Sequence, residues 1–483
     1  MLFNSFSFLG CFAALAVLYY AVPHRFRWPL LLATSLIFYA TFSAAYLVLL
    51  LVITLVTYRA GLALGATADP RRTRVLLATS VAAVLGALVV FKYYDFLAGT
   101  LEGGLATVGA GGSGPLFPRL GLVVAAGLSF YTFSCVSYLV DVSAGRLPPE
   151  RHLGHFALYV AFFPKLLAGP IERARPFLTQ LLQPVSFSAD GVTQGLQLML
   201  WGLFKKVVLA DRLAIFVDTA YGQAAFSSPA DLVLATYFFA FQLYCDFSGY
   251  SDMAIGAAKV LGIDLMENFR RPYFSTSVPE FWTRRWHLSL AGWFRDYLYV
   301  PLGGSRRSRL RLYANVLAVF LVSGLWHGAS WTFVVWGGLN GLYQVCSLAT
   351  RGMRERVCAA VRLPGGLGGL LRGLLTFHLI LVTWIFFRAA SLADATTIVS
   401  RVTASLATLP RLLQVRIANP EILFSIGLIA VLLCVEAFDE RRSVWERLAD
   451  RPVYLRWGVY YAVLGSLIVL GTWNLQQFVY MGF

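Results

Sequence analysis

The chain has 483 residues, of which 58% are hydrophobic and 13% charged, against roughly a quarter charged in an average soluble domain. Basic residues exceed acidic ones by 40 − 24 = 16, but they sit in short segments between apolar runs, which reads as membrane topology and not as a nucleic-acid surface. Six cysteines (Cys11, Cys135, Cys245, Cys346, Cys358 and Cys434) are scattered without C-x-x-C spacing or a neighbouring histidine pair, so neither a zinc site nor a disulfide framework is indicated.

The opening Met-Leu-Phe-Asn-Ser-Phe-Ser-Phe lacks the positive leader and small-residue cleavage site of a signal peptide, so the first apolar run is expected to remain as a helix. Apolar runs fall at about 7–22, 29–42, 44–62, 75–91 and 118–140, then at 207–221, 231–262, 312–350, 372–390, 421–437 and 455–472. At 1.5 Å per residue a span needs ~20 residues, so the pattern predicts one all-α membrane domain over the whole chain, with about 10 to 12 transmembrane helices. The 39 residues from Leu312 to Thr350 would reach about 58 Å as one helix, roughly twice the hydrocarbon thickness. They must break in two, and Gly324 and Gly328 are the expected hinge.

Basic loops occur at Arg25 and Arg27, at 59–74, at Arg146 and Arg151, and at 270–311, 351–362 and 441–456. If these face the cytoplasm, both termini and the glycine-rich segment 103–114 lie outside. Two segments fit poorly as spans: 153–170, with Pro164, Lys165 and Pro170, and 270–302, with several arginines. Both read as re-entrant or interfacial, because irregular backbone at membrane depth survives only when buried in protein or lining a cavity.

His327 lies in Ser323-Gly-Leu-Trp-His-Gly-Ala-Ser-Trp331, with no charge between Arg311 and Arg351. A desolvated imidazole there stays neutral, as a general base must be. The adjacent glycines let a substrate approach the backbone, and Trp326 and Trp331 are candidate tunnel walls. The alternative is a histidine that only hydrogen-bonds a neighbouring helix; its position beside a helix break favours function. His287, in Phe281-Trp-Thr-Arg-Arg-Trp-His-Leu-Ser289, sits among aromatics and cations. Arg284, Arg285 and Trp286 could grip a phosphate-bearing acyl donor, or could form an interfacial helix facing anionic lipid.

Tyr244-Cys-Asp-Phe-Ser-Gly-Tyr-Ser-Asp252 places Asp246 and Asp252 in a hydrophobic run, where each needs an arginine, histidine or backbone donor. Their expected role is structural pairing, the alternative being to orient the base. No G-x-S-x-G elbow occurs and no cysteine stands beside a histidine, which disfavours a covalent acyl-enzyme. His378 reads as a packed helix histidine, and His24, His152 and His155 as loop residues. No Walker-type loop or dinucleotide fingerprint is present.

At these motifs the chain resembles the membrane-bound O-acyltransferase family, in particular its bacterial alginate O-acetyltransferase branch. The matching pieces are Phe162-Phe-Pro-Lys-Leu-Leu-Ala-Gly-Pro-Ile171, the stretch 244–256, Asn268-Phe-Arg-Arg-Pro-Tyr-Phe274, the stretch 281–303, the stretch 323–328 and Phe386-Phe-Arg388. They extend from the N-terminal Phe-Asn-Ser to the C-terminal Gln477-Phe-Val-Tyr-Met-Gly-Phe483, and their combination is what is specific. The resemblance implies a helical ring around a central tunnel, with His327 catalytic, His287 as a second site residue, Asn268 among the supporting residues, and acyl transfer to hydroxyls of an exported polymer. Similar proteins act on cellulose, peptidoglycan and other glycans, and a related branch handles D-alanine, so the acceptor is open.

The expected reaction starts from a cytoplasmic thioester donor such as acetyl-CoA, with no bound cofactor and no metal. His327 takes the proton of an acceptor hydroxyl arriving from the outer face, and His287 or a backbone amide stabilises the tetrahedral charge. Because the chain ends just past its last helix, a separate periplasmic acetyltransferase is the expected partner that relays the group to exported polysaccharide. Membrane lipids surround the protein in a bacterial inner membrane. The alternatives are a transporter or flippase for a lipid-linked sugar or acyl carrier, and a structural subunit of an export complex.

Overall fold

The computed structural model describes residues 2–109, 115–306, 308–360, 366–439, 444–473 and 478–479. Parts of the segments 103–114 and 441–456, and most of 477–483, therefore lie outside the described residues. Within them the chain is helix and connecting loop. It begins with α1 (Phe6–Ala21), α2 (His24–Ala40), α3 (Ala44–Ala66) and α4 (Pro70–Leu88), which runs through a π-helical turn, Val89–Tyr93, into α5 (Tyr94–Thr107). Then come α6 (Leu128–Ser143), α7 (Leu153–Ala161), α8 (Phe163–Leu166) and α9 (Ala174–Leu181). α10 (Ala189–Phe204) continues through a second π turn, Lys205–Ala210, into α11 (Asp211–Gly222), and α12 (Pro229–Val260) follows. Two short helices, α13 (Val278–Glu280) and α14 (Leu288–Phe294), precede the hairpin of α15 (Arg309–His327) and α16 (Trp331–Ala349). The rest comprises α17 (Arg351–Ala360), α18 (Leu367–Arg388), α19 (Leu392–Ala404), α20 (Leu409–Ile417), α21 (Pro420–Phe438), α22 (Val444–Ala449) and α23 (Val453–Leu470).

Helix starts follow local chemistry. Asp69, Ser228 and Asn419 each accept a backbone N–H at the head of α4, α12 and α21, and each is followed by a proline in the first turn. Among the described residues six units are long and apolar enough to cross a membrane: α3, the α4–α5 unit, α15, α18, α21 and α23. The expected total of about 10 to 12 counted every apolar run, including 7–22, 29–42 and 207–221, which are shorter than a span. Of the others, α1 is apolar but short, and α12 is long but carries Asp231, Asp246, Asp252 and Lys259.

α12 is buried along nearly its whole length and is the central element. It packs antiparallel to α10 through glycines: Gly195 faces Gly256 and Gly202 faces Gly249, with a built Cβ at Gly202 only 2.5 Å from the Gly249 carbonyl oxygen. Small residues at this seam let two backbones approach closely. The approach also delivers Lys205 and Lys206 of the π turn to the carboxylates of α12.

The expected break in 312–350 is present. α15 stops at His327, Gly328 is extended, and Ser330 caps α16 by accepting the Thr332 N–H. Segments 153–170 and 270–302, read as re-entrant or interfacial, are broken into short helical pieces. The run 118–140 differs from a single span: helix starts only at Leu128. Gly127 adopts a left-handed φ of 76°, and a Cβ there would lie 2.3 Å from the Leu166 carbonyl oxygen, so the chain turns tightly against α8. Two histidines assigned to loops are helical instead, His24 as the first residue of α2 and His155 within α7.

Candidate active site

His327 is the last residue of α15 and is 2% exposed. Its ring stands 5.0 Å from that of Trp326, 4.9 Å from Trp336 and 5.4 Å from Phe387, centroid to centroid. A helix C-terminus leaves its final carbonyls without partners inside the helix. Here they are met from α4–α5: Tyr93 Oη donates to the Leu325 carbonyl at 2.8 Å, and Lys92 Nζ donates to those of Trp326 and His327 at 2.7 and 3.2 Å.

His287 is also 2% exposed and caps α14 with φ 46° and ψ 55°, a left-handed conformation rare for a residue with a side chain. Fixed partners hold the backbone around it. The Trp286 N–H donates to the Phe281 carbonyl at 2.9 Å and the Leu288 N–H to that of Asn268 at 2.9 Å. The buried Asn268 side chain donates to Ser251 Oγ at 3.1 Å and accepts from the Ser289 N–H at 3.3 Å and the Ser289 hydroxyl at 2.9 Å. Asn268, singled out only by the resemblance, thus braces the turn that carries His287.

The two imidazoles come together, with ring centroids 6.5 Å apart. Both line one cavity of about 950 Å³, whose walls include Trp282, Trp286, Phe294 and Phe320, and whose exposed lining carries Glu267, Arg270, Arg284 and Arg295. That volume lies at the upper end of the usual range for small-molecule sites. A second cavity, about 20 Å³, is bounded by Lys92, residues 124–130, Trp326 and His327, and His327 is the one residue lining both. Twenty cubic ångströms holds about one water-sized group.

The remaining expected site residues separate. Arg284 lines the large cavity and, among the described residues, makes no ion pair. Arg285 instead turns back to Glu280, at 2.7 Å. Partial burial by itself would raise the Glu280 carboxyl, but bonds from the Thr276 N–H and hydroxyl and from Arg285 outweigh it and hold the group below the usual carboxylate range. Trp286 lines the large cavity and Trp326 the small one. Trp331, expected as a wall, lines neither: it is 49% exposed and packs against Phe96 on the outer side of the break.

Asp246 and Asp252 pair with lysines, a partner type outside the expected set. Lys205 meets Asp252 at 2.6 Å, and Lys206 bridges Asp246 at 2.7 Å and Asp211 at 2.8 Å. Asp246 also accepts the Val479 N–H at 2.7 Å, the one backbone donor of the kind expected. Neither carboxylate is among the residues lining the two cavities. Their place is the α10–α12 seam, which agrees with structural pairing. His378, exposed on α18, bonds the Tyr237 hydroxyl and the Leu374 carbonyl.

Among the cavity and cage residues that the sequence does not single out as candidates are Lys92, Ser129, Trp336 and Phe387. Lys92 was visible as a lone lysine closing an apolar run, and Phe387 lies in the Phe-Phe-Arg piece of the resemblance. Trp336 carries no local signal beyond apolarity.

A sequence model of the membrane-bound O-acyltransferase family matches residues 130–390. Over 396 residues, 81% of this chain and 76% of the relative, the sequence is 39% identical to a probable alginate O-acetylase AlgI of Azotobacter vinelandii. It is 38% identical over 402 residues to the Pseudomonas aeruginosa protein of the same name, covering 82% and 73% of the two chains. A peptidoglycan O-acetyltransferase of Helicobacter pylori is 34% identical over 431 residues, 82% of this chain and 78% of that one.

Proposed function

This chain belongs to the membrane-bound O-acyltransferase family, and from that membership we propose that it moves an acetyl group from a cytoplasmic thioester to a hydroxyl of an exported polysaccharide, with His327 as general base. That it is an O-acyltransferase, and a multi-pass protein of a bacterial inner membrane, follows from the family and its relatives. The observation that carries the finer reading is that His327 lines two cavities of very different size while His287 shares only the larger.

The donor enters the large cavity from its arginine-bearing lining. Arg284, which pairs with no carboxylate among the described residues, takes a phosphate, as a guanidinium does well. His327 ends a helix that starts at Arg309, so it lies 18 residues, or about 27 Å, from the basic end. A donor with a flexible arm, such as acetyl-CoA, sets its phosphates at Arg284, three residues from His287, and its thioester at His327, which lines the same cavity.

The acceptor hydroxyl comes from the opposite face. His327 removes its proton as the oxygen attacks the thioester carbonyl, the C–S bond breaks as the tetrahedral intermediate collapses, and the proton passes to the departing thiolate. His287 or a backbone N–H faces the developing oxyanion. The acetylated product is the polysaccharide itself or a periplasmic acetyltransferase that relays the group, and relatives named for alginate and peptidoglycan support a glycan acceptor. Proteoliposomes with labelled acetyl-CoA on one side and alginate oligomers on the other test this. Wild type transfers label, and His327→Ala loses on the order of 10²- to 10⁴-fold. Equal transfer by folded His327→Ala overturns the assignment.

A further inference from the structure

A buried ammonium is costly unless its donors are all satisfied, and an apolar side chain of similar length would fill the same space without that cost. Lys92 is 9% exposed and yet meets no carboxylate among the described residues. Its ammonium is instead directed at three oxygens: the carbonyls of Trp326 and His327, and Ser129 Oγ at 3.4 Å. The lysine sits on the π turn Val89–Tyr93, a local widening of the helix that is frequent at functional sites. It points at the C-terminal, partially negative end of α15, where a cation is favoured. Lys92 and its three partners, Ser129, Trp326 and His327, all border the 20 Å³ cavity.

We propose that Lys92 is a positioning residue for the acceptor half of the reaction: it fixes the last turn of α15 so that the His327 imidazole meets a hydroxyl seated in the small cavity beside Ser129. The proposal rests on the general-base reading of His327. It separates two jobs at the end of one helix. Tyr93 binds the Leu325 carbonyl two residues back and serves the helix as a cap. Lys92 binds the carbonyl of the reacting residue itself and faces the space beyond it. The cavity holds about one water-sized group, which suits a hydroxyl but not a sugar ring, so a sugar presents its hydroxyl from the mouth.

The test uses the full-length protein in proteoliposomes with labelled acetyl-CoA and alginate oligomers, varying each substrate in turn. Lys92→Met is expected to lower kcat on the order of 10- to 100-fold, as a misplaced catalytic group does, with the KM for acetyl-CoA essentially unchanged. Lys92→Arg, which restores a cation and donors, recovers part of the loss. Wild-type kcat in Lys92→Met, or a rise in the acetyl-CoA KM that matches the loss, overturns the proposal. If Lys92→Met does not accumulate in the membrane, Ser129→Ala decides: the KM for alginate oligomers rises severalfold while that for acetyl-CoA holds, and an unchanged acceptor KM overturns the proposal. His327→Ala runs in parallel. Activity in that variant sinks the general-base reading, whereas an inactive His327→Ala beside a fully active Lys92→Met sinks the role of Lys92 alone.

Discussion

Gly324→Ala adds one methyl group a turn before His327, at the seam of the α15–α16 hairpin, and should inactivate the enzyme without unfolding it. The new Cβ would lie 2.3 Å from the Phe333 carbonyl oxygen, whereas real Cβ atoms keep at least 3.0 Å, so the two helices must part by about 3.0 − 2.3 = 0.7 Å. The obstacle is backbone, so no rotamer change relieves it. Overpacking of this kind costs about 1–3 kcal/mol, and the gain in helix propensity from glycine to alanine offsets up to about 1 kcal/mol of that. The protein therefore still folds. His327, three residues along the same helix, moves with it, and a misplacement of about 1 Å costs on the order of 10²-fold in rate. Labelled acetyl transfer in proteoliposomes measures kcat, with Gly86→Ala as control because nothing lies within 4 Å of a Cβ at that position. If Gly324→Ala turns over as fast as Gly86→Ala, the claim that hairpin packing sets the position of His327 is wrong.

Two further perturbations separate binding from folding. Arg284→Ala should raise the KM for acetyl-CoA on the order of 10- to 100-fold, the worth of one charged hydrogen bond of about 1.5–3 kcal/mol, with little change in kcat; Arg285→Ala, which breaks the pair with Glu280, should lower the melting temperature and leave that KM alone. Lys206→Met strands Asp246 and Asp211, a loss of about 3–5 kcal/mol for a broken buried pair; melting in detergent should show a large drop, and an unchanged midpoint would remove the seam from the account of stability.

Much of the site is local in sequence and could therefore be read there. The helix break follows from length alone, because 39 apolar residues cannot cross a bilayer once, and His327 is marked by the glycines that make the break. His287 stands out through its arginines and tryptophans. What could not be read depends on contacts across the chain or on helix phase. Lys92 meets Trp326 across 234 residues, and nothing near either one signals the other. Asp246 and Asp252 are six residues apart, about 240° around a helix, so they face different neighbours. The π turn lets adjacent Lys205 and Lys206 serve them separately. Trp331 begins α16 just past the break, and a break erases the phase that would have said which way it points. The run 118–140 misleads because composition cannot register the tight approach of Gly127 to α8.

The asymmetry around His327 also bears on what can pass through the protein. A carrier for a lipid-linked sugar alternates access around one binding site and must accommodate its cargo toward either face. His327 borders both a cavity of about 950 Å³ and one of about 20 Å³, which on the proposed reading is room for a bulky donor against room for a single hydroxyl. On that reading the donor's body stays in the large cavity and does not follow its acyl group past the imidazole. What can cross is a fragment small enough to change bonds at that point, and a barrier that admits only a fragment makes group transfer the means of transport. Widening the small cavity should admit water to the thioester, so the turnover that Lys92→Ala retains should shift toward hydrolysis of acetyl-CoA, read as a rise in the ratio of free acetate to acetylated oligomer over wild type; an unchanged ratio would refute the barrier.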